Sequence, residues 1–490
     1  MAPESDYDLL IKNVRVVRPH RAVVETGNIA IRGGKIVALG AGIVGTAAQI
    51  VEGCNCLALP GVIDAHMHTG IYSPLVEDAI TESRAAAQGG VTSSLNYFRS
   101  GQYYLNKGGP YEQFFPEVLE ISAGRFHVDY AYHLAPLDRT HIAEIPMLIE
   151  KFGVTTFKIY MFYGGYGLHG ASSRQHDFLM IADDERYDIA HFEFVMRGVK
   201  GAMQRFPEMR DAISLSLHCE TAEIMTAYTR LVQAEGKLTG LRAYSAARPP
   251  HSEGLAIFIA SYLAHETECV NINLLHLSSR KAVEAALKMA EAFPHINFRR
   301  EATIAHLVID YDAPAGYQAK VNPPIRSRED VEYLWQAVID GKIDWICSDH
   351  ACCRHEMKAG GHEHLEDVFL AKSGFGGTEY LLPAFMTEAK RRGLPLHRVA
   401  ELLCSNPAQR FGLSSKGDLA PGFDADIVLV DPDRSYTIHA AHSESTQGYT
   451  PFEGIEVSAT VMSTFLRGRL IYDDGKVIGE PSGRYLKRPC

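Results

Sequence analysis

The sequence predicts an α/β protein: a (β/α) barrel joined to a small discontinuous β domain. Three observations carry this. Short apolar runs alternate with helix-like stretches over about 350 residues, more than one open sheet needs. β-rich runs broken by Gly, Asp and Pro lie at both ends of the chain. No G-x-G-x-x-G follows the first strand, which disfavours the competing doubly wound sheet with a dinucleotide site.

Taken in order, "YDLLIKNVRVV" (7–17) reads as a strand, and "GNIAIRGGKIVALG" (27–40) as two strands around a Gly33-Gly34 turn. In the middle, "TESRAAAQGG" precedes "VTSSLNYF", and "MLIEKFG" precedes "VTTFKIYMF". "EAALKMAEAF" precedes "INFRREAT", and "DVEYLWQAVIDG" precedes "IDWICSD". "GDLAPGFDADIVLVDPD" (417–433) and "TFLRGRLIYDDGKVI" (464–478) return to β texture. Chain ends often lie close together, so the two β pieces are expected to form one domain. The expected division is 1–59 and 416–490 for the β domain and 60–415 for the barrel.

Composition narrows the function. Of 490 residues, 46% are hydrophobic and 22% charged, as in a globular protein with a large core. The formal net charge of -11 argues against nucleic-acid or anionic-membrane partners. "MAPESDYDLL" carries no secretory pattern, and apolar runs such as "GLAIFIASYLAH" are too short to span a membrane. Nine scattered cysteines read as reduced thiols, so a cytoplasmic location is expected.

"GVIDAHMHTG" (61–70) raises the chemical question. His66 and His68 stand two apart, so on a strand they face the same way. Four other apolar runs carry Lys158 ("FKIYMF"), His218 ("SLHCE"), His276 ("LLHLSS") and Asp349 ("CSDH"). Strand C-termini of a barrel converge on one face, where catalytic groups gather. Each residue alone could cap a loop or helix, but five caps of these types are less economical than one metal site. An ammonium cannot bind a cation. A buried lysine beside metals has a lowered pKa, and its neutral amine can take up carbon dioxide as a carbamate, an anion able to bridge two metals.

"PGVIDAHMH", "FKIYMFY", "LHCE", "LLHLSS" and "CSDH" resemble the cyclic-amidohydrolase branch of the amidohydrolase superfamily, which holds dihydropyrimidinases, hydantoinases and allantoinases. The resemblance runs nearly end to end; "NPAQRFGL" followed by "KGDLAPGFDADIVLVD" is similar to the family's return from barrel to β-sandwich. It implies a metal-dependent (β/α)8 TIM barrel with a discontinuous β-sandwich, assembled as a homotetramer or homodimer. It also implies two zinc ions bridged by carboxylated Lys158 and a hydroxide. One metal would take His66, His68, the carbamate and Asp349; the other would take the carbamate, His218 and His276. The hydroxide would attack a cyclic ureide or imide, with Asp349 as proton shuttle. Tyr163, five residues after Lys158 as in dihydropyrimidinases and hydantoinases, would support the oxyanion, with Tyr160 and Tyr166 as rivals.

The chain departs from the family pattern in places. Asn322 in "KVNPPIR" stands for a usual serine, and Ser373 in "AKSGFGGTE" for a usual asparagine. By resemblance both bind the amide edge of the substrate, largely through main-chain atoms. "EATIAHL" replaces a more usual "ETCPQYL". These changes leave room for a different ring, such as allantoin, or an acyclic amide. A non-catalytic scaffold is the remaining alternative, disfavoured because all six ligand positions are filled. The insertion at 164–186 is read as a specificity loop, a lid or an oligomer contact. "DHACCRHEMKAGGHEHLED" (349–367) reads as a polar loop over the site rather than a second metal site, and Cys352 and Cys353 as spectators. Arg248 and Glu253 are expected to brace the barrel.

Overall fold

The computed structural model describes residues 5–169, 174–360 and 367–490. Eight strands form one sheet in sequence order, each parallel to the next: β1 (Val62–Met67), β2 (Val91–Phe98), β3 (Asp129–Leu134), β4 (Thr156–Tyr160), β5 (Ser214–His218), β6 (Asn271–Leu274), β7 (Asn297–Thr303) and β8 (Trp345–Cys347). Beyond β8 the sheet meets β1 again: Met67 bridges His350, and the His68 N–H donates to the His350 carbonyl at 2.7 Å. This nearly closed sheet is the barrel.

A helix follows each strand. They span Leu75–Gln88, Tyr111–Ser122, Arg139–Phe152, Ile189–Arg205, Pro250–Thr267, Arg280–Ala292, Arg328–Ile339 and Leu381–Arg392. Because the barrel strands are covered on both faces, β1, β2 and β6 are buried along their whole length rather than at alternate positions. The helix starts follow local chemistry. Asp138, Ser279 and Ser327 accept the N–H groups of His141, Ala282 and Asp330, satisfying donors the helix itself cannot. Inside the barrel Ile63, Ala65, Leu95, Ala131 and Trp345 pack with Phe411 and Leu413.

The chain ends build a second, nine-stranded sheet rather than two separate layers of pairing. Its order runs 476–477, 469–473, 460–466, 427–431, 57–60, 7–16, 25–32, 35–40, with 47–52 beside 7–16. Leu57–Pro60 lies between Tyr7–Val16 and Ile427–Asp431, so the two ends share one hydrogen-bonded ladder. Leu9, Ile11, Ile29, Ile427 and Phe465 from across this sheet form its own core. The predicted hairpin is present, with Gly33 and Gly34 at φ +60° and +75°, as a two-residue turn of this hand requires.

Buried Lys416 joins the β domain to the barrel. Its ammonium lies 2.8 Å from Asp129 at the start of β3 and 2.6 Å from Asp426. Asp129 also pairs with Arg467. Lys416→Met would leave Asp426 without a cation and Asp129 with Arg467 alone, and chemical denaturation is expected to show a loss of about 3–5 kcal/mol. An unchanged midpoint would mean that the cluster does not couple the two parts.

Candidate active site

The six residues proposed from sequence as ligands meet at the C-terminal mouth of the barrel. His66 is on β1 and His68 is one residue past it; Lys158 is within β4 and His218 closes β5. His276 and Asp349 each lie two residues beyond their strands. The His66 and His68 Nε2 atoms face each other at 3.2 Å. Asp349 Oδ1 lies 3.2 Å from the first and 3.4 Å from the second, and Lys158 Nζ lies 3.0 Å from His66 Nε2. The His276 ring is 4.3 Å from that of His218 and 5.4 Å from that of His66. His66, Lys158, His218 and His276 are all buried.

A second layer of groups orients them. Glu301 Oε1 lies 2.8 Å from His66 Nδ1 and accepts the His276 backbone N–H, while Oε2 accepts the Trp345 indole N–H. Tyr104 holds His68 Nδ1 at 2.7 Å. Glu220, itself clasped by the Arg248 guanidinium, lies 2.7 Å from His218 Nε2. Asp64 accepts the Ser348 N–H and the Thr378 hydroxyl, which fixes the turn before Asp349. His276 and Asp349 adopt φ +36° and +55°. Such backbone costs of order 1–3 kcal/mol and persists only where surroundings enforce it, as these bonds do.

The electrostatics favour cation binding. Burial pushes the His66 and His276 imidazoles well below their ordinary range and His218 to about 4, so these rings are neutral and carry lone pairs. Burial also lowers the Lys158 amine to about 7, against the pull of Asp349 and Glu301. Burial would raise the Asp349 carboxyl, but the imidazoles of His66 and His68 and the Lys158 amine hold it below the usual range. His276 Nδ1 is buried without any hydrogen-bond partner. Neutral imidazole nitrogens turned toward one another, a carboxylate between them and an orphaned ring nitrogen form a donor set that fits divalent metal.

A narrow cavity of about 50 Å³ opens over this cluster, lined by Lys158, His218, His276, Asp349 and the three other residues proposed from sequence: Tyr163, Asn322 and Ser373. Its apolar wall includes Ile71, Phe162, Leu168 and Val321. Tyr160 also lines it, whereas the Tyr166 hydroxyl is tied to Thr229. The Asn322 side chain is held at both ends: Oδ1 accepts from Tyr244 and Arg248, and Nδ2 donates to the Leu168 carbonyl. The Ser373 N–H donates to His169 Nδ1, and its carbonyl accepts from Tyr72.

The insertion therefore reaches the cavity through Leu168 and His169; residues 170–173 of it lie outside the described residues. So do His362 and His364 of the Cys/His-rich loop. Cys352 gathers with Asp78 and Glu82, and Glu82 already bonds His350, Ser445 and Thr446. Arg248 grips Glu220 and Glu253 grips Arg326, the bracing expected of both. Sequence reasoning gave no role to Glu301, Glu220, Asp64 or Tyr104. Glu220 had a signal, two residues from His218; Glu301 lay within the run "INFRREAT" and in a segment that departs from the family pattern, and neither reading gave it a role.

Among the described residues no helix is long and apolar enough to cross a membrane. Residues 261–471 match the model of the amidohydrolase family. An allantoinase from Rubrobacter xylanophilus is 30% identical over 490 residues, covering 99% of this chain and 98% of that protein. The structure of a dihydropyrimidinase from Brevibacillus agri superposes with a TM-score of 0.83 at 25% identity, covering 98% of each chain. A D-hydantoinase structure gives 0.84 at 25% identity, covering 98% of this chain and 99% of that one. With its sequence kinship, barrel and cluster of side chains that could hold a metal in agreement, the chain belongs to the amidohydrolase family, in the branch of hydrolases that act on cyclic amides.

Proposed function

We propose that this protein is a binuclear zinc hydrolase that opens the ring amide of a cyclic ureide or imide of the dihydropyrimidine or hydantoin type. The observation that carries this is the convergence of His66, His68, Lys158, His218, His276 and Asp349 beneath one cavity. Lys158 supports the bridging role because its buried amine is neutral enough near pH 7 to add to carbon dioxide and lose a proton, giving N6-carboxylysine. His66, His68 and Asp349 would hold one metal and His218 and His276 the other, with the carboxylated Lys158 between. Bound there, the metals would lower the pKa of water from 15.7 to about 7 and polarise the scissile carbonyl.

The side chains do the remaining work. Asp349 Oδ1 accepts a proton from the attacking water and returns it to the ring nitrogen, which leaves poorly unless protonated. The Tyr163 hydroxyl donates to the oxygen that gains charge at the carbonyl carbon. With the Asn322 side chain engaged, its contact with the ring would come from the main chain. Ser373 would exchange His169 for a substrate oxygen.

The allantoinase relative supports a second reading, allantoin. The Ile71, Phe162, Leu168 and Val321 wall favours a less polar ring edge. A panel of five- and six-membered cyclic ureides and imides, with allantoin and an open-chain amide, tests both by ring opening. Turnover of a hydantoin or dihydropyrimidine above allantoin is expected. Turnover of the open-chain amide alone would overturn the reading.

A further inference from the structure

Arg99, the first residue after β2, presents an unusual problem of charge. Its side chain is completely buried at the catalytic end of the barrel. Nη1 donates to the Ser100 carbonyl at 2.8 Å; Nε and Nη2 make no well-formed hydrogen bond, and the guanidinium acts on the Tyr163 hydroxyl, opposing the rise that burial imposes on its pKa. No carboxylate pairs with it among the described residues. The other deeply buried guanidiniums near the cavity are neutralised: Arg248 by Glu220 and Arg326 by Glu253. A buried, unpaired charge is costly, and a fold that keeps one calls for a reason.

Its surroundings give that reason. The guanidinium carbon lies 5.4 Å from the Tyr163 ring centroid, 5.1 Å from that of Tyr104 and 4.6 Å from that of Phe178. Tyr163 and Tyr104 both line the cavity, and Tyr104 bonds His68. Arg99 does not line the cavity itself. Aromatic faces thus surround a positive charge that has no carboxylate partner among the described residues, beside two tyrosines that line the cavity.

We propose that Arg99 is a positioning residue that acts through Tyr163: it holds the ring by its face and makes the phenol a stronger donor to the substrate oxyanion. This deepens the reading of Tyr163 given above and rests on it. A cation behind the phenol matters more as charge accumulates on the substrate oxygen, so its benefit falls on the transition state and not on the bound ground state. Arg99 and Tyr163 are both buried, so little solvent screens the effect.

A double-mutant cycle with Arg99→Met and Tyr163→Phe, assayed on the best ring of the panel, tests this. Arg99→Met is expected to lower kcat about 10–30-fold with KM within about twofold. Its melting temperature should not fall, because an unpaired buried charge has been removed. Arg99→Lys should recover part of the lost kcat. In the Tyr163→Phe background, Arg99→Met should cost less than about threefold more.

A destabilised Arg99→Met with wild-type kcat would make Arg99 a structural brace and overturn the proposal. Full multiplication of the two losses would show that Arg99 acts elsewhere. A KM effect confined to rings bearing a carboxylate would make it a substrate-anion site. Tyr163→Phe at the wild-type rate overturns the Tyr163 link while leaving the hydrolase reading intact. A wild-type protein that opens no ring fails that reading separately, and a lower melting temperature in Arg99→Met then overturns the proposal by itself.

Discussion

Lys158→Ala is expected to lose bound metal and turnover together, with kcat/KM down by more than about 10³-fold. That exceeds the 10–100-fold typical of removing a group that only orients a metal-binding histidine. The reasoning is local. Lys158 Nζ sits 3.0 Å from His66 Nε2 and over the rings of Tyr97 and Tyr160, at 4.1 and 4.3 Å from their centroids. Among the described residues no other lysine or arginine lines this cavity to carry a bridging carboxylate. Elemental analysis of the purified variant, alongside ring-opening rates, checks the prediction. Addition of a small carboxylic acid should restore part of both quantities. Full metal content, or turnover without added acid, would count against the carbamate.

Asp349→Asn is expected to separate the two quantities. The amide keeps one oxygen of nearly the same shape near His66 and His68, but it can no longer take up and return a proton. kcat should fall about 10²–10⁴-fold, the usual contribution of a general acid–base group, while most of the metal is retained. Parallel loss of metal and rate would make Asp349 a ligand only. The comparison must be made at equal metal content, because Asp349 touches the same imidazoles that would hold the ion.

Much of this site was legible in the sequence, because its candidate ligands sit where an apolar strand stops and a polar residue must be explained. His66, His68, His218, His276 and Asp349 all follow that rule, and the structure brings them together. Strand β3, Asp129–Leu134, was not anticipated: "DYAYHL" mixes Asp, Tyr and His with apolar residues and shows neither an apolar run nor clean alternation. Glu301 was illegible for a related reason. Strand β7 reads "NFRREAT", a charged run that resembles a surface segment, yet Glu301 is completely buried beneath His66. Partners such as Tyr104 and Arg99 follow from loop conformation, which has no period to read. The engagement of Ser373 by His169 links positions far apart in the chain and depends on how the insertion packs.

The nine-stranded sheet carries a consequence for biogenesis. Leu57 pairs with Val430, so one ladder closes only when nearly the whole polypeptide has emerged. At typical synthesis rates of about 5–20 residues per second, the early strands wait tens of seconds with an unpaired edge. Partnerless edges of this kind invite association with other nascent chains. Slow maturation and a dependence on chaperones during overproduction are the natural outcome, independent of how stable the finished molecule is.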